Sequence, residues 1–376
     1  MRSIGKFIGI AMIVLVIGLA VPGYCYEVND KFSIDASLAG VYQYADGLDN
    51  REDDSYGRGS VASDIGLNFH PTEIDEFQVT LSFASGNGLH NKESFSLCAN
   101  ADDLEDDLKD INGRNRDYLL EAWYRHSFML LHNISLGATF GIIDSTAYLD
   151  GNEFANDEVG QFMNEVFVNN PLLNLPSYDV GGELELSVNN FAIKGVVMGS
   201  RTDDWKKAGP DATRGFNYYG LELSYSLNTS PGQGNYRLTG YTTTEDFEGW
   251  AGEEEKLKGV GISIDQKIGE LVGIFARLGW QDDDAQIDHD QLYSIGFNLN
   301  GNAWGREKDE LGLGYAYLEG ADKADIDNTH AVEGYVKFKV TDYSVLSLDV
   351  QYMKDNYKHG DDNDGMVYGA RYAISF

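Results

Sequence analysis

The sequence predicts an all-β fold, a transmembrane antiparallel β-barrel of about sixteen strands with a helical loop folded inward. Three observations predict it. After residue 30 the apolar pattern repeats every two residues almost throughout, not every 3.6. The final segment alternates aromatic and aliphatic residues with small and polar ones up to Phe376. Tight polar links alternate along the chain with long acidic ones, the pattern of short turns at one membrane face and long loops at the other.

The N-terminus carries Arg2 and Lys6, an apolar run from Phe7 to Val21, and then Pro22 and Gly23. This layout is that of a secretory leader, and the run is shorter than the roughly 20 residues of a spanning helix. We expect residues 1–25 to be the leader and 26–376 the barrel, with cleavage after Gly23 or Cys25. The bulky Tyr24 argues against lipidation at Cys25. The expected destination is the outer membrane of a Gram-negative cell. The formal charge is −33, and loss of Arg2 and Lys6 takes it to −35. So acidic a chain argues against nucleic acid as a partner. Cleavage after Cys25 leaves Cys98 as the single thiol, so no disulfide framework or cysteine metal site is expected, and no cofactor.

The expected strands are 32–45, 57–70, 76–86, 118–129, 134–145, 177–188, 191–202, 217–228, 234–246, 255–268, 271–283, 290–301, 309–320, 329–340, 344–356 and 365–376. Phe77, Val79, Leu81 and Phe83 oppose Gln78, Thr80 and Ser82. Tyr219, Leu221, Leu223, Tyr225 and Leu227 oppose Glu222, Ser224 and Ser226. Val332, Val336, Phe338 and Val340 oppose Glu333, Tyr335, Lys337 and Lys339, and Leu346, Leu348, Val350 and Tyr352 oppose Ser347, Asp349 and Gln351. In the last strand Met366, Tyr368, Ala370, Tyr372, Ile374 and Phe376 face lipid, and Arg371 faces inward. One apolar and one polar face per strand suits a wall between lipid and water. The terminal phenylalanine resembles the assembly signal of outer-membrane proteins. Tight links at 189–190, 268–270 and 340–343 fall at the periplasmic end. The acidic links 46–56, 87–117, 146–176, 203–216, 321–328 and 357–364 fall outside. Acidic runs in the loops, Asp53–Asp54, Asp282–Asp284 and Asp361–Asp362 among them, read as solvated surface, the alternative being divalent cations that bridge them to phosphorylated lipid headgroups.

Segment 150–176 breaks the period of two. Asn156 is placed to cap a helix, with Asp157 and Glu158 in its first turn, and Asn169-Asn170-Pro171 would end it. Phe162, Met163, Val166 and Phe167 fall on one face; Asp157, Gln161 and Asn164 form a polar stripe on another. The expectation is a loop inside the barrel, apolar side to the wall and polar stripe to the channel. The alternative is a lid over the barrel mouth. A barrel of this size has a wet lumen that something must narrow if it is to select.

The run Asn152-Glu-Phe-Ala-Asn-Asp-Glu, with Gln161-Phe-Met-Asn and Phe167-Val-Asn-Asn, resembles the signature segment of the OprB-type carbohydrate-selective porins. Glu121-Ala-Trp-Tyr, Gly141-Ile-Ile-Asp, Tyr178-Asp-Val-Gly, Asp349-Val-Gln-Tyr and Gly369-Ala-Arg are similar as well. The resemblance runs from about residue 60 to the end and implies facilitated diffusion of small sugars through a sixteen-stranded barrel. Ile142 stands where the family often has lysine.

Uncharged sugars need hydrogen-bonding groups and a flat apolar surface, both weak enough for release. Parity turns Glu121, Trp123 and Arg125 inward on the fourth strand, with Trp123 placed to stack. Arg277 and Arg371 are also inward, with Lys337 and Lys339. Facing Glu121, Asp157, Glu183, Glu185 and Glu222, they would set a transverse field; the alternative is ordinary wall ion pairs. The candidate constriction is thus Asp157, Gln161, Asn164, Asn156, Glu158, Glu121, Trp123, Arg125, Arg277 and Arg371. Sugars are the expected permeants, and outer-membrane lipid and lipopolysaccharide the surroundings. A homo-oligomer is left open, since an interface would mimic the lipid-facing stripe. A general or cation-preferring diffusion channel and an adhesion barrel are the competing readings. No enzyme is expected: His126 is outward with no serine beside it, and His289 and Asp290 are read as loop residues without a partner.

Overall fold

The computed structural model describes residues 26–46, 55–90, 95–114, 116–202 and 214–376. The expected leader, Asp53–Asp54 and most of the 203–216 link lie outside them.

Sixteen antiparallel strands close into one barrel. They are β1 Phe32–Asp46, β2 Ser55–Thr72, β3 Asp75–Ser85, β4 Leu119–Leu131, β5 Ile134–Ile143, β6 Asp179–Val188, β7 Phe191–Thr202 and β8 Arg214–Asn228. The second half is β9 Gln233–Thr243, β10 Lys258–Ile268, β11 Val272–Gln281, β12 His289–Asn300, β13 Glu310–Gly320, β14 Ile326–Thr341, β15 Ser344–Tyr357 and β16 Asn363–Ser375. Each coincides with one expected segment, because alternation between lipid and water writes itself directly into a strand's sequence.

Every strand pairs with its sequence neighbours, and β16 closes on β1 from Met366↔Asp46 to Ser375↔Ser37. Phe376 and Ala36 then exchange both backbone hydrogen bonds at 3.1 Å. Closure satisfies the backbone polar groups that lipid could not. Where β16 stops, the short strand Tyr26–Asn29 folds back to pair with β1, Tyr26 opposite Ile34.

The two faces follow the expected parity. On β16, Tyr368 and Tyr372 are 45% and 43% exposed on the outside while Arg371 is fully buried inside. Trp280, Tyr293, Tyr317 and His330 touch ring to ring across β11–β14 near the loop-bearing rim, a segment of aromatic girdle. Tight turns join β2–β3, β4–β5, β6–β7, β10–β11 and β14–β15 at the other rim. At two of them the backbone enters the left-handed region, through Asn189 (φ 52°) and Gly269 (φ 64°).

His126 is outward as expected and bonds Asp75 at 2.7 Å. His289 departs from the reading. It opens β12, is buried, and its Nε2 lies 2.8 Å from Thr329 Oγ1. A pattern read one strand at a time does not reveal a partner forty residues away.

Candidate channel constriction

Two loops enter the barrel, where the sequence pointed to one. The link between β5 and β6, residues 144–178, lies against the inner wall of β8–β16. Phe162, Met163, Val166 and Phe167 are fully buried, and Phe162 sits at ring-centroid distances of 5.5 Å from Phe275 and 5.0 Å from Tyr335. The apolar face therefore meets the wall. Inward glycines make the room: a Cβ on Gly279 would lie 2.8 Å from Asn170 Oδ1, and one on Gly314 would lie 2.7 Å from the Phe167 ring.

Polar wall groups fix the loop backbone. Arg277 pairs with Asp150 at 3.0 Å and donates to the Phe167 and Asp150 carbonyls and to Asn156 Oδ1. Asp150 also accepts from Asn170 N at 2.8 Å, pinning the loop's two ends together. Glu333 accepts from Met163 N and Asn164 N. Arg371 donates to the Glu158 and Gln161 carbonyls at 2.5 and 2.7 Å, and Lys337 donates to the Gly160 carbonyl at 2.8 Å.

This corrects the expected helix and its polar stripe. α-Helix in this loop is confined to Glu165–Val168, with Asn164 as its cap, beside 3-10 turns at Ser145–Ala147 and Pro171–Leu173. Residues 157–161 form a separate turn in which Asp157 Oδ1 accepts from Val159 N and Gly160 N. The Asp157 side chain competes for the backbone donors and Gly160 weakens a helix interior, so the longer helix is not formed. Asn164 is fully buried against the wall, donating to Gln351 Oε1 at 3.1 Å. Gln161 is spent within the loop, on Glu153 O and Asn156 N. Of the three stripe residues only Asp157 is exposed. Arg277 and Arg371 are likewise beneath the loop and fully buried, so the transverse field assigned to them is not built.

The second loop joins β3 to β4. Its Phe95–Ala101 stretch runs onto the inner wall of β14, β15 and β1, where Ser96 bonds Asp355 and Thr329. The amides of Gln43 and Gln351 both donate to Ala99 O, at 2.8 and 2.9 Å. It also pairs with the first loop: Cys98 N reaches Glu165 Oε1, Glu165 N reaches Cys98 O, and Ala101 N reaches Met163 O at 2.8 Å. The available signal was the short run Phe95-Ser-Leu-Cys-Ala inside an otherwise acidic link.

Several inward groups on β2–β7 keep part of their surface. Arg125, 24% exposed, spans Glu183 at 3.3 Å and Glu185 at 2.9 Å. Glu121 accepts from Thr80 Oγ1 at 3.3 Å. Trp123 is inward and half-buried, packed against the apolar cluster that contains Leu149 and Leu173 of the loop. Lys194 donates to the Tyr148 carbonyl at 3.0 Å. On the loops, burial pushes Asp102 up to about 7, helped by the negative charges of Glu158 and Asp64. Burial raises Glu158 to about 7 as well, with Asp157 and Asp144 adding to it.

A closed barrel with a polar lumen narrowed by inserted loops is a porin. The chain matches "Carbohydrate-selective porin, OprB family" over residues 76–376 and belongs to that family. An uncharacterized protein of Aquifex aeolicus (strain VF5) is 32% identical over 304 residues, which is 79% of this chain and 85% of that one. Pseudomonas putida OprB at high pH superposes with a TM-score of 0.74 at 16% identity, covering 92% of this chain and 94% of that chain. The outer membrane channel DcaP of Acinetobacter baumannii gives 0.50 at 10% identity, covering 92% and 97%. The protein is a carbohydrate-selective porin, a barrel through which sugars diffuse.

Proposed function

We propose that sugars pass between the docked loops and the β2–β7 wall, meeting Trp123, Arg125, Glu121, Glu185 and Asp157. The observation that carries this reading is an asymmetry in exposure. Arg125 keeps 24% of its side-chain surface while Arg277 keeps none. A half-buried indole beside a guanidinium and carboxylates offers both a flat apolar surface and strong hydrogen-bonding groups for hydroxyls. Asn164, Gln161, Asn156, Arg277 and Arg371 act as positioning residues that hold the constriction. The working place is the outer membrane of a Gram-negative cell after loss of residues 1–25, with the apolar outer band in lipid and lipopolysaccharide. The protein transports without catalysing a reaction.

Liposome swelling with glucose, mannose and sucrose tests this. Trp123→Ala and Arg125→Ala should slow and flatten the sugar dependence while the heat-modifiable barrel persists. Unchanged swelling in both would place the sugar path elsewhere.

One observation favours a superimposed cation preference. Around the constriction the carboxylates of Glu121, Asp157, Glu158 and Glu185 outnumber the accessible cations Arg125 and Lys194. A positive reversal potential toward potassium in a KCl gradient is the expected sign.

A further inference from the structure

At the periplasmic end of β6–β9 the inner wall holds a concavity of about 340 Å³, at the small end of the range typical of small-molecule sites. Ser187, Asn190, Ser224, Ser226, Asn228 and Gln233 line it. None is charged. Residues 186–193 and 223–236 contain no Asp, Glu, Lys or Arg, in a chain whose charged fraction is 24%. Strand register assembles the group: Ser187 lies opposite Ala192, Ala192 opposite Ser224, and Asn228 opposite Gln233. Arg237, opposite Ser224, is committed to Asp265 at 2.6 Å.

The hydrogen-bonding capacity of this patch is largely unspent. Ser187 Oγ donates to Glu185, and Ser226 Oγ donates to Asn235. The side-chain amides of Asn190, Asn228 and Gln233 make no hydrogen bond to the described residues. Ser224 Oγ lies 3.5 Å from Ala192 O, so the three primary amides are what face water in one concavity, each able both to donate and to accept. That set matches vicinal hydroxyls, which also donate and accept. It offers no counter-charge to a charged solute.

We propose that this concavity is a second, periplasm-side subsite for neutral polyhydroxylated solutes, an exit station below the constriction. The proposal rests on the sugar-porin reading and extends it. Ser187 ties the two places together: its hydroxyl is 2.8 Å from Glu185, which in turn holds Arg125 at 2.9 Å. A solute released from the Arg125 carboxylate pair next meets Ser187 and then the amides. Two weak sites in series let a channel bind its permeant without trapping it. Each amide–hydroxyl bond replaces a bond to water, so each adds only a small factor in residence, about twofold.

The test is current-noise analysis of single channels in planar bilayers, with glucose, mannose or sucrose added to one side at a time. The variants are Asn190→Ala/Asn228→Ala/Gln233→Ala together and, separately, Ser224→Trp, which fills the concavity. Heat-modifiability confirms the barrel in each. In both variants the residence of sugar added from the periplasmic side should shorten by about tenfold. Sugar events from the loop side and open conductance should stay near wild type. If wild type responds to sugar and both variants match it from both sides, the exit subsite is refuted and the sugar path stands. If no neutral sugar perturbs the wild-type current from either side, the sugar reading itself fails and the subsite falls with it.

Discussion

Arg277→Ala should undock the loop without opening the barrel. In the native chain the guanidinium is fully buried, pairs with Asp150 at 3.0 Å and donates to Phe167 O, Asp150 O and Asn156 Oδ1. Its removal strands the Asp150 carboxylate, 1% exposed, with the Asn170 amide at 2.8 Å. Breaking a buried pair on one side costs about 3–5 kcal/mol. The wet lumen lets water reach the vacated site, so about 3 kcal/mol is the better figure, which lowers the docked-to-undocked ratio roughly 100-fold. No β11 backbone bond depends on the side chain, so the barrel should stay heat-modifiable. The assay is single-channel recording: raised mean conductance, added open-channel noise and weaker sugar block are expected. Arg277→Lys, keeping the charge but not the planar fork, should lie between. A folded Arg277→Ala channel with wild-type conductance, noise and sugar block would refute the idea that this cluster holds the constriction.

Deleting residues 152–170 should widen the pore and abolish discrimination among sugars, but less completely than the same deletion combined with loss of 95–101; equal conductance in both would mean the second loop narrows nothing. Gly279→Val should reproduce part of the Arg277→Ala phenotype, since even its Cβ would lie 2.8 Å from Asn170 Oδ1, and unchanged recordings would show that the wall yields. Cation preference should rise with pH around 7. Asp102 and Glu158 are raised from ordinary values of 3.8 and 4.5 to about 7, so the docked loops favour their protonated forms. Their contribution to docking is full below about pH 4 and fades as pH climbs through 7, while negative charge accumulates. Asp102→Asn/Glu158→Gln should flatten the reversal potential against pH; an unaltered curve counts against these two groups. Phe376→Ser should leave little barrel in the outer membrane, measured by heat-modifiable protein in membrane fractions, whereas normal amounts would shift the assembly signal off this residue.

All sixteen strands, their inward parity and the alternation of short and long links were legible in the sequence. Each depends on local order: lipid on one side and water on the other impose a period of two, whatever lies farther along the chain. The apolar face of the 150–176 loop was legible for the same reason, since Phe162, Met163, Val166 and Phe167 cluster within one short stretch. Which inward residues meet water was decided only by tertiary structure. Arg125, Arg277 and Arg371 share the same parity, yet Arg125 faces the channel and the others lie under a loop more than one hundred residues distant in sequence. The same holds for Phe95–Ala101, held on the inner wall by Gln43, Gln351 and Asp355. Parity tells a side chain's direction, but exposure depends on what else occupies that direction, and a folded-in loop is placed by contacts no local period encodes.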